Sequence, residues 1–143
     1  MDAFDADVLI YAATAGHPLG QRVRALFPVD AVPDTAEPVG CGSVLLVTEL
    51  LAKPLREEAG DEVAELAGLL GRLELRPVDL AVAELAAVLG ATYRLRAVDA
   101  VHLATAVAVG ADRFVTNNSR DFTRSIAEID VTYPSDLPNV QRR

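Results

Sequence analysis

The chain has 143 residues, 51% of them hydrophobic, so it is long enough to bury one core and too short for two domains. Its single cysteine, Cys41, excludes an internal disulfide, and the acids near the start do not fit the basic region of a signal peptide. No uninterrupted apolar run approaches the roughly 20 residues that a membrane-spanning helix requires. We therefore expect one domain, covering residues 1–143, in a soluble cytoplasmic protein without a membrane partner.

The chain carries a formal net charge of −8, from 21 acidic and 13 basic residues. A general nucleic-acid binder usually presents a basic face, so this charge argues against nonspecific binding of DNA or RNA. A metal site would account for part of the acidic excess, because divalent cations neutralise it, and the arginines can still gather on one surface. The charge therefore disfavours a nucleic-acid enzyme without excluding one.

Short apolar runs alternate with longer helical ones along the chain, which is typical of an α/β protein with a mostly parallel sheet. The predicted strands are at Phe4 and over residues 39–41, 73–78, 113–116 and 129–133. Helices are predicted from Val8, over 19–27, from Ser43 past Glu49, and over 56–71, 80–93 and 98–109. The segment 28–38 is predicted to be a surface loop. The last two helices are so apolar that we expect them to be buried or to lie at an oligomer interface.

Several acids stand where predicted strands end. Asp5 and Asp7 follow the first strand, Asp99 begins the last helix, and Thr116-Asn117-Asn118 closes the fourth strand. In open α/β sheets this carboxyl edge is where ligands bind. Glu49 lies inside an apolar helix, where an unpaired carboxylate is costly to bury. The pattern therefore predicts a functional cluster of carboxylates.

Each of these residues also has a structural interpretation. Asp7 and Asp99 fit helix N-caps, a position that favours Asp, and Asp5 fits a turn. Glu49 fits a narrow solvated face of its helix. His102, on an apolar helix face, is more typical of a core or rim histidine than of a ligand. Caps alone explain each acid taken singly, but they do not readily explain all of them together.

Four segments carry a further signal, and each contains at least one of the polar residues named above. They read FDADVLI over residues 4–10, SVLLVTELL over 43–51, VDAVHLATA over 98–106 and FVTNNSRDF over 114–122. In this order they resemble the signature blocks of PIN-domain nucleases, most closely the VapC-type toxins of bacterial toxin–antitoxin pairs. The resemblance extends from residue 3 to about residue 134. The ordered set is more specific than any one block.

The resemblance implies a three-layer α/β/α sandwich that binds Mg²⁺ or Mn²⁺ and cleaves RNA as a toxin. By position, Asp5, Glu49 and Asp99 would be catalytic metal ligands, and Ser43 and Thr116 polar supports. Both cations prefer carboxylate and water oxygens, and a bound ion activates water for attack on phosphorus. The resemblance also implies a small antitoxin that blocks the acidic cleft, and homodimerisation, with which the apolar helix 80–93 is compatible.

Two positions depart from the family pattern. Asp7 stands where the family often has Asn or Ser, so it is either a supporting ligand or a cap. Asn118 stands where many relatives carry a carboxylate, and the nearest acid is Asp121, three residues on. If Ser119 caps a helix, Asp121 lies in its first turn and reaches the metal through a water, which adds Asp121 to the expected catalytic set. A carboxylate favoured by the helix dipole is the other interpretation.

Two other functions compete with this one. The run DADVL over residues 5–9 resembles the nucleophile-and-acid pair of haloacid-dehalogenase-type phosphatases. The chain's only lysine, Lys53, precedes Gly60-Asp61 too closely to leave room for the elements that such an enzyme needs. The other competitor is a catalytically degenerate PIN fold kept as a binding module, which Asn118 favours. Hydrolysis of a labelled RNA separates these alternatives.

Overall fold

A parallel five-stranded sheet organises the fold in the computed structural model, which describes residues 1–28 and 37–140. The strands are β1 Asp2–Phe4, β2 Gly40–Ser43, β3 Leu73–Arg76, β4 Arg113–Val115 and β5 Asp130–Thr132. The helices are α1 Ala6–Ala13, α2 Pro18–Arg24, α3 Leu45–Arg56, α4 Gly60–Leu70, α5 Leu80–Tyr93 and α6 Ala97–Val109, followed by a 3₁₀ turn at Pro134–Asp136. All neighbouring strands run parallel, in the order β3-β2-β1-β4-β5.

The two faces of the sheet are covered by different helices. Phe4 and Val115 point into a core formed with α1, α2, α3 and α4. Their strand neighbours Ala3 and Phe114 point to the opposite face, where α5 and α6 pack. This alternation follows from the two-residue period of a strand, and both faces are buried as expected for a parallel sheet. The predicted three-layer α/β/α sandwich is confirmed.

The chain changes direction across the sheet at β1. From β1 it builds β2 and β3 on one side, and it then crosses through α5 and α6 to place β4 on the other side of β1. A crevice therefore opens beyond the carboxyl ends of β1 and β4, which is the usual ligand position in such a sheet.

Most predicted elements agree with the structure within three residues, and three of the differences have a clear physical reason. The first helix starts at Ala6 rather than Val8, because Asp5 caps it. The second strand continues to Ser43, which therefore ends a strand rather than opening a helix. The predicted helix 56–71 begins only at Gly60, because α3 continues to Arg56 and Glu58 then adopts a left-handed φ of 54°. Most of the predicted loop 28–38 lies outside the described residues.

The two apolar helices differ in burial. Helix α6 buries most of its central residues against the sheet, whereas α5 leaves Leu80 and Val88 74% and 61% exposed. No helix in the described part of the chain is long and apolar enough to cross a lipid bilayer.

Candidate active site

Asp5 and Thr116 meet at the carboxyl ends of β1 and β4. Asp5 is the N-cap of α1, with extended φ and ψ of −82° and 164°, and its Oδ1 accepts a hydrogen bond from the backbone N–H of Ala6 at 2.8 Å. Its Oδ2 accepts from the Thr116 hydroxyl, also at 2.8 Å. The carboxylate is only 4% exposed. Burial raises the pKa of Asp5 most, His102 and the two hydrogen bonds oppose this rise, and the charge of Asp99 adds to it.

Thr116 also organises the chain that follows β4. Its hydroxyl oxygen accepts from the backbone N–H of Asn118 at 3.1 Å while the hydroxyl donates to Asp5. The side chain is fully buried. One hydroxyl therefore connects the β1 and β4 ends of the crevice.

Asp7 lies in the first turn of α1 and is not a cap. Its Oδ2 accepts from the backbone N–H of Asn117 at 3.1 Å, and its Oδ1 is buried with no hydrogen-bond partner in the described ranges. Burial, followed by the charges of Asp5 and Asp99, raises the pKa of Asp7 to about 7. The protein therefore compensates the ionised form of this carboxylate only in part.

Asp99 and Glu49 approach the same crevice from opposite faces of the sheet. Asp99 is the third residue of α6, so it is not the N-cap that one interpretation predicted. Burial raises the pKa of Asp99 most, and the charges of Glu49 and then Asp121 raise it further. The charges of Asp5, Asp7, Asp99, Glu49 and Asp121 thus act on one another around the crevice.

His102 contacts Glu49, which the sequence interpretation missed. Its Nε2 lies 2.8 Å from Oε2 of Glu49, and its side chain is fully buried. The prediction of a buried histidine was right about burial, but it did not identify the partner. The spacing from Asp99 could have indicated that His102 faces the crevice, because residues three apart share one face of a helix, but it does not identify Glu49.

Asn118 and Asp121 form a turn and not the start of a helix. The Asn118 amide donates to Oδ2 of Asp121 at 3.0 Å, and the Asp121 backbone N–H donates to Oδ1 of Asn118 at 3.3 Å. Residues 117–129 contain no helix, so the expectation that Ser119 caps one was wrong. Asn118 itself holds Asp121 in place.

Ser43 and Tyr11 border the crevice without contacting its acids. The Ser43 hydroxyl oxygen accepts from the backbone N–H of Leu45 at 3.1 Å, which supports the start of the helix that carries Glu49. Tyr11 stacks on His17 with ring centroids 4.3 Å apart, and its hydroxyl accepts from the Asn117 amide. Sequence reasoning assigned no role to this aromatic pair.

The donor set suits a hard, partly hydrated cation. In residues 1–28 and 37–140, no three His, Cys, Asp or Glu side chains are arranged to hold one metal ion together. Mg²⁺, however, usually binds proteins through one or two carboxylates and retains several waters. Oδ1 of Asp7 is unpartnered, and burial and then neighbouring acids raise the pKa values of Asp5 and Asp99, so a cation would stabilise the ionised form of these carboxylates. The residues therefore fit a hydrated Mg²⁺ or Mn²⁺ ion.

The fold and the site together define an all-parallel α/β protein with an acidic crevice at its topological switch point. Residues 3–127 match the model of the PIN domain, and the chain belongs to that family. The family predicted from the four sequence blocks is confirmed, and PIN membership supports a nuclease activity in general terms. Membership of this family removes the phosphatase alternative.

Solved structures with a similar fold include three complexes. A toxin–antitoxin complex from Klebsiella pneumoniae has a TM-score of 0.72 at 22% identity, covering 94% of this chain and 98% of that one. VapBC2 from Rickettsia felis, bound to a DNA fragment from their promoter, has a TM-score of 0.68 at 15% identity, covering 92% and 97%. FitAB bound to an IR36 DNA fragment has a TM-score of 0.64 at 20% identity, covering 99% of this chain and 100% of that one. No curated protein matches the sequence.

Asp7→Asn should stabilise the metal-free protein in a pH-dependent way. The pKa of this carboxyl rises from 3.8 to about 7 on folding, so its ionised form destabilises the folded protein. The destabilisation is complete above pH 7 and absent below about pH 4. In EDTA, we therefore expect the variant to melt several degrees above wild type at pH 8, and this difference to vanish towards pH 4.

Thermal melts across this pH range test the prediction. Asp61→Asn, the same change at an exposed acid in the first turn of α4, serves as the matched control. A stability difference that does not change with pH would show that the Asp7 carboxylate is not the strained group.

Proposed function

We propose that the protein is an Mg²⁺- or Mn²⁺-dependent endoribonuclease that acts as the toxin of a toxin–antitoxin pair. The observation that carries this proposal is the set of electrostatically coupled carboxylates at the switch point of a PIN domain. Two of the similar solved structures support the toxin assignment, since one is described as a toxin–antitoxin complex and the other as VapBC2.

In this proposal Asp5, Glu49 and Asp99 surround the cation, which is bound directly by one or two of these carboxylates and through retained waters by the rest. When bound, such an ion lowers the pKa of a water and offsets charge on the phosphate. Asp5 is held in one orientation by Ala6 and Thr116, and each of its oxygens keeps a second lone pair for a further ligand. A carboxylate fixed in this way does not have to be ordered when substrate arrives. Asp7 adds negative charge beside it.

The RNA chain is proposed to lie between α3 and the start of α6. A cavity of 540 Å³ opens there, bordered by Glu49 and Asp99 and otherwise mainly apolar. The guanidinium of Arg96 lines the same cavity and would attract a phosphate, whereas Leu45 and Val98 offer contacts for a sugar or base. This placement brings a phosphodiester next to the carboxylates despite the net charge of −8.

An antitoxin is the proposed protein partner. Because the crevice is acidic, a partner that blocks it should present a basic side chain there. A second copy of the chain is the other expected partner, and the exposed Leu80 and Val88 of α5 provide an apolar surface suitable for it.

A labelled single-stranded RNA tests the proposal directly. The purified chain should cleave it in Mg²⁺ or Mn²⁺, lose this activity in EDTA, and leave a small phosphomonoester intact. If the antitoxin-free protein leaves a broad panel of RNAs uncut in both metals, the degenerate binding module is the better description. The Asn118–Asp121 pairing, which engages one acid in a local turn, is the structural observation that favours this alternative.

Asp121→Asn should reduce cleavage less than Asp99→Asn. Asp121 raises the pKa of Asp99 less than Glu49 does, so the charge of Asp121 acts more weakly at the site. Asn118 also already occupies one of the carboxylate oxygens of Asp121. We expect higher Mg²⁺ to restore part of the lost activity.

Asn118→Asp should lower the Mg²⁺ concentration needed for half-maximal cleavage, because it adds a charge beside Asp121.

A metal titration of cleavage rates for the three variants decides this. If Asp121→Asn is inactive at every Mg²⁺ concentration, Asp121 is a direct and indispensable ligand.

A further inference from the structure

His102 is a polar side chain at the crevice to which the proposed reaction assigns no role. It lies in α6 three residues after Asp99, and its side chain is 0% exposed. A buried polar ring is costly unless it forms a hydrogen bond. Its partner is Oε2 of Glu49, which reaches the crevice from α3 on the opposite face of the sheet.

The chemistry of the two groups determines which atom donates. The Glu49 carboxylate only accepts, so Nε2 of His102 carries the hydrogen and donates it. Nδ1 is buried and has no hydrogen-bond partner in the part of the chain that the structure describes. The ring therefore directs its one hydrogen bond at Glu49.

The two partners differ in how firmly they are held. His102 is enclosed in the core, whereas the Glu49 side chain is 36% exposed. A long exposed carboxylate otherwise samples several rotamers. The contact uses Oε2, and Oε1 forms no hydrogen bond within residues 1–28 and 37–140. His102 thus fixes the orientation of Glu49 and leaves one oxygen available.

We propose that His102 is a positioning residue, whose Nε2–H holds the Glu49 carboxylate in the orientation in which it binds the divalent cation. This inference rests on the proposed function, in which Glu49 is a metal ligand. Carboxylates that bind metals are themselves hydrogen-bonded as a rule, and loss of such an outer partner typically weakens metal affinity by about 10–100-fold.

Mn²⁺ binding to the full chain without RNA tests the proposal, with the free ion measured by electron paramagnetic resonance. His102→Leu removes the donor and keeps an apolar side chain, so we expect the Mn²⁺ Kd to rise about tenfold. His102→Gln, whose amide N–H reaches close to the position of Nε2, should stay within about threefold of wild type. Thr105→Val, a buried polar-to-apolar change in the same helix, should leave the Kd unchanged.

A double-mutant cycle with Glu49→Ala separates a role through Glu49 from a general effect. If His102 acts through Glu49, His102→Leu should change the Kd by less than about twofold once Glu49 is absent. An equal loss in both backgrounds would overturn the inference. Weakening by Glu49→Ala but not by His102→Leu would overturn it too, while leaving the proposed function intact. If Glu49→Ala does not weaken binding, both the metal site and this inference are wrong.

A measurement on the metal-free protein covers the case in which His102→Leu does not fold. Imidazole NMR should show a hydrogen on Nε2 of His102, with a resonance that shifts in Glu49→Ala. A resonance that does not respond to Glu49→Ala would overturn the contact on which the proposal stands.

Discussion

Asp99→Asn is expected to lower RNA cleavage by about a hundredfold or more while the protein remains folded. The change keeps the shape of the side chain and removes one of the charges proposed to hold the cation. The raised pKa of Asp99, caused by burial and then by Glu49, shows that the protein keeps this charge at a cost to its own stability. Asn at this position should therefore remove catalysis without removing the fold.

The measurement is the single-turnover cleavage rate of a labelled RNA at saturating Mg²⁺, with a thermal melt of each protein. Asp61→Asn is the matched control, because it makes the same substitution in the first turn of a helix away from the crevice. Near-normal cleavage by a folded Asp99→Asn would remove Asp99 from the site.

Thr116→Val should destabilise the protein by about 2 kcal/mol, which corresponds to a fall in Tm of roughly 4–8 °C for a domain of this size. The substitution keeps the shape and removes two buried hydrogen bonds, to Asp5 and from Asn118. The Asp5 carboxylate then loses its hydroxyl donor while 4% exposed. Because Asp5 is also a proposed metal ligand, cleavage should fall by about tenfold in parallel.

Thr105→Val provides the comparison. Thr105 is equally buried, but its hydroxyl bonds only to the Val101 carbonyl of its own helix, at 2.8 Å. Loss of such a bond changes helix stability little. Thr116→Ser, which keeps the hydroxyl, should retain most of the activity. If Thr116→Val and Thr105→Val are equally stable, the hydroxyl of Thr116 does not organise the crevice.

Part of the site could be predicted because its residues stand at element boundaries. A parallel sheet brings the carboxyl ends of its strands to one edge, so Asp5 and Thr116 were expected at the same edge before any contact was known. The helix after β4 was predicted wrongly, because Ser119 fits an N-cap while the competing turn depends on one side chain. Asn118 bonds to Asp121 in both directions, and such local side-chain bonds offer the backbone an alternative to a helix.

The sequence by itself determined the alternation of strands and helices, the PIN family, and the candidate acids, because hydrophobic period and motif order are local properties of the chain. The tertiary structure decided which side chains touch. His102 and Glu49 are 53 residues apart, and Asp5 and Thr116 are 111 apart. Helices α3 and α6 pack on opposite faces of the sheet, so nothing in the pattern of either helix specifies the partner of His102. Such a contact depends on how two independently packed helices meet beyond the sheet edge.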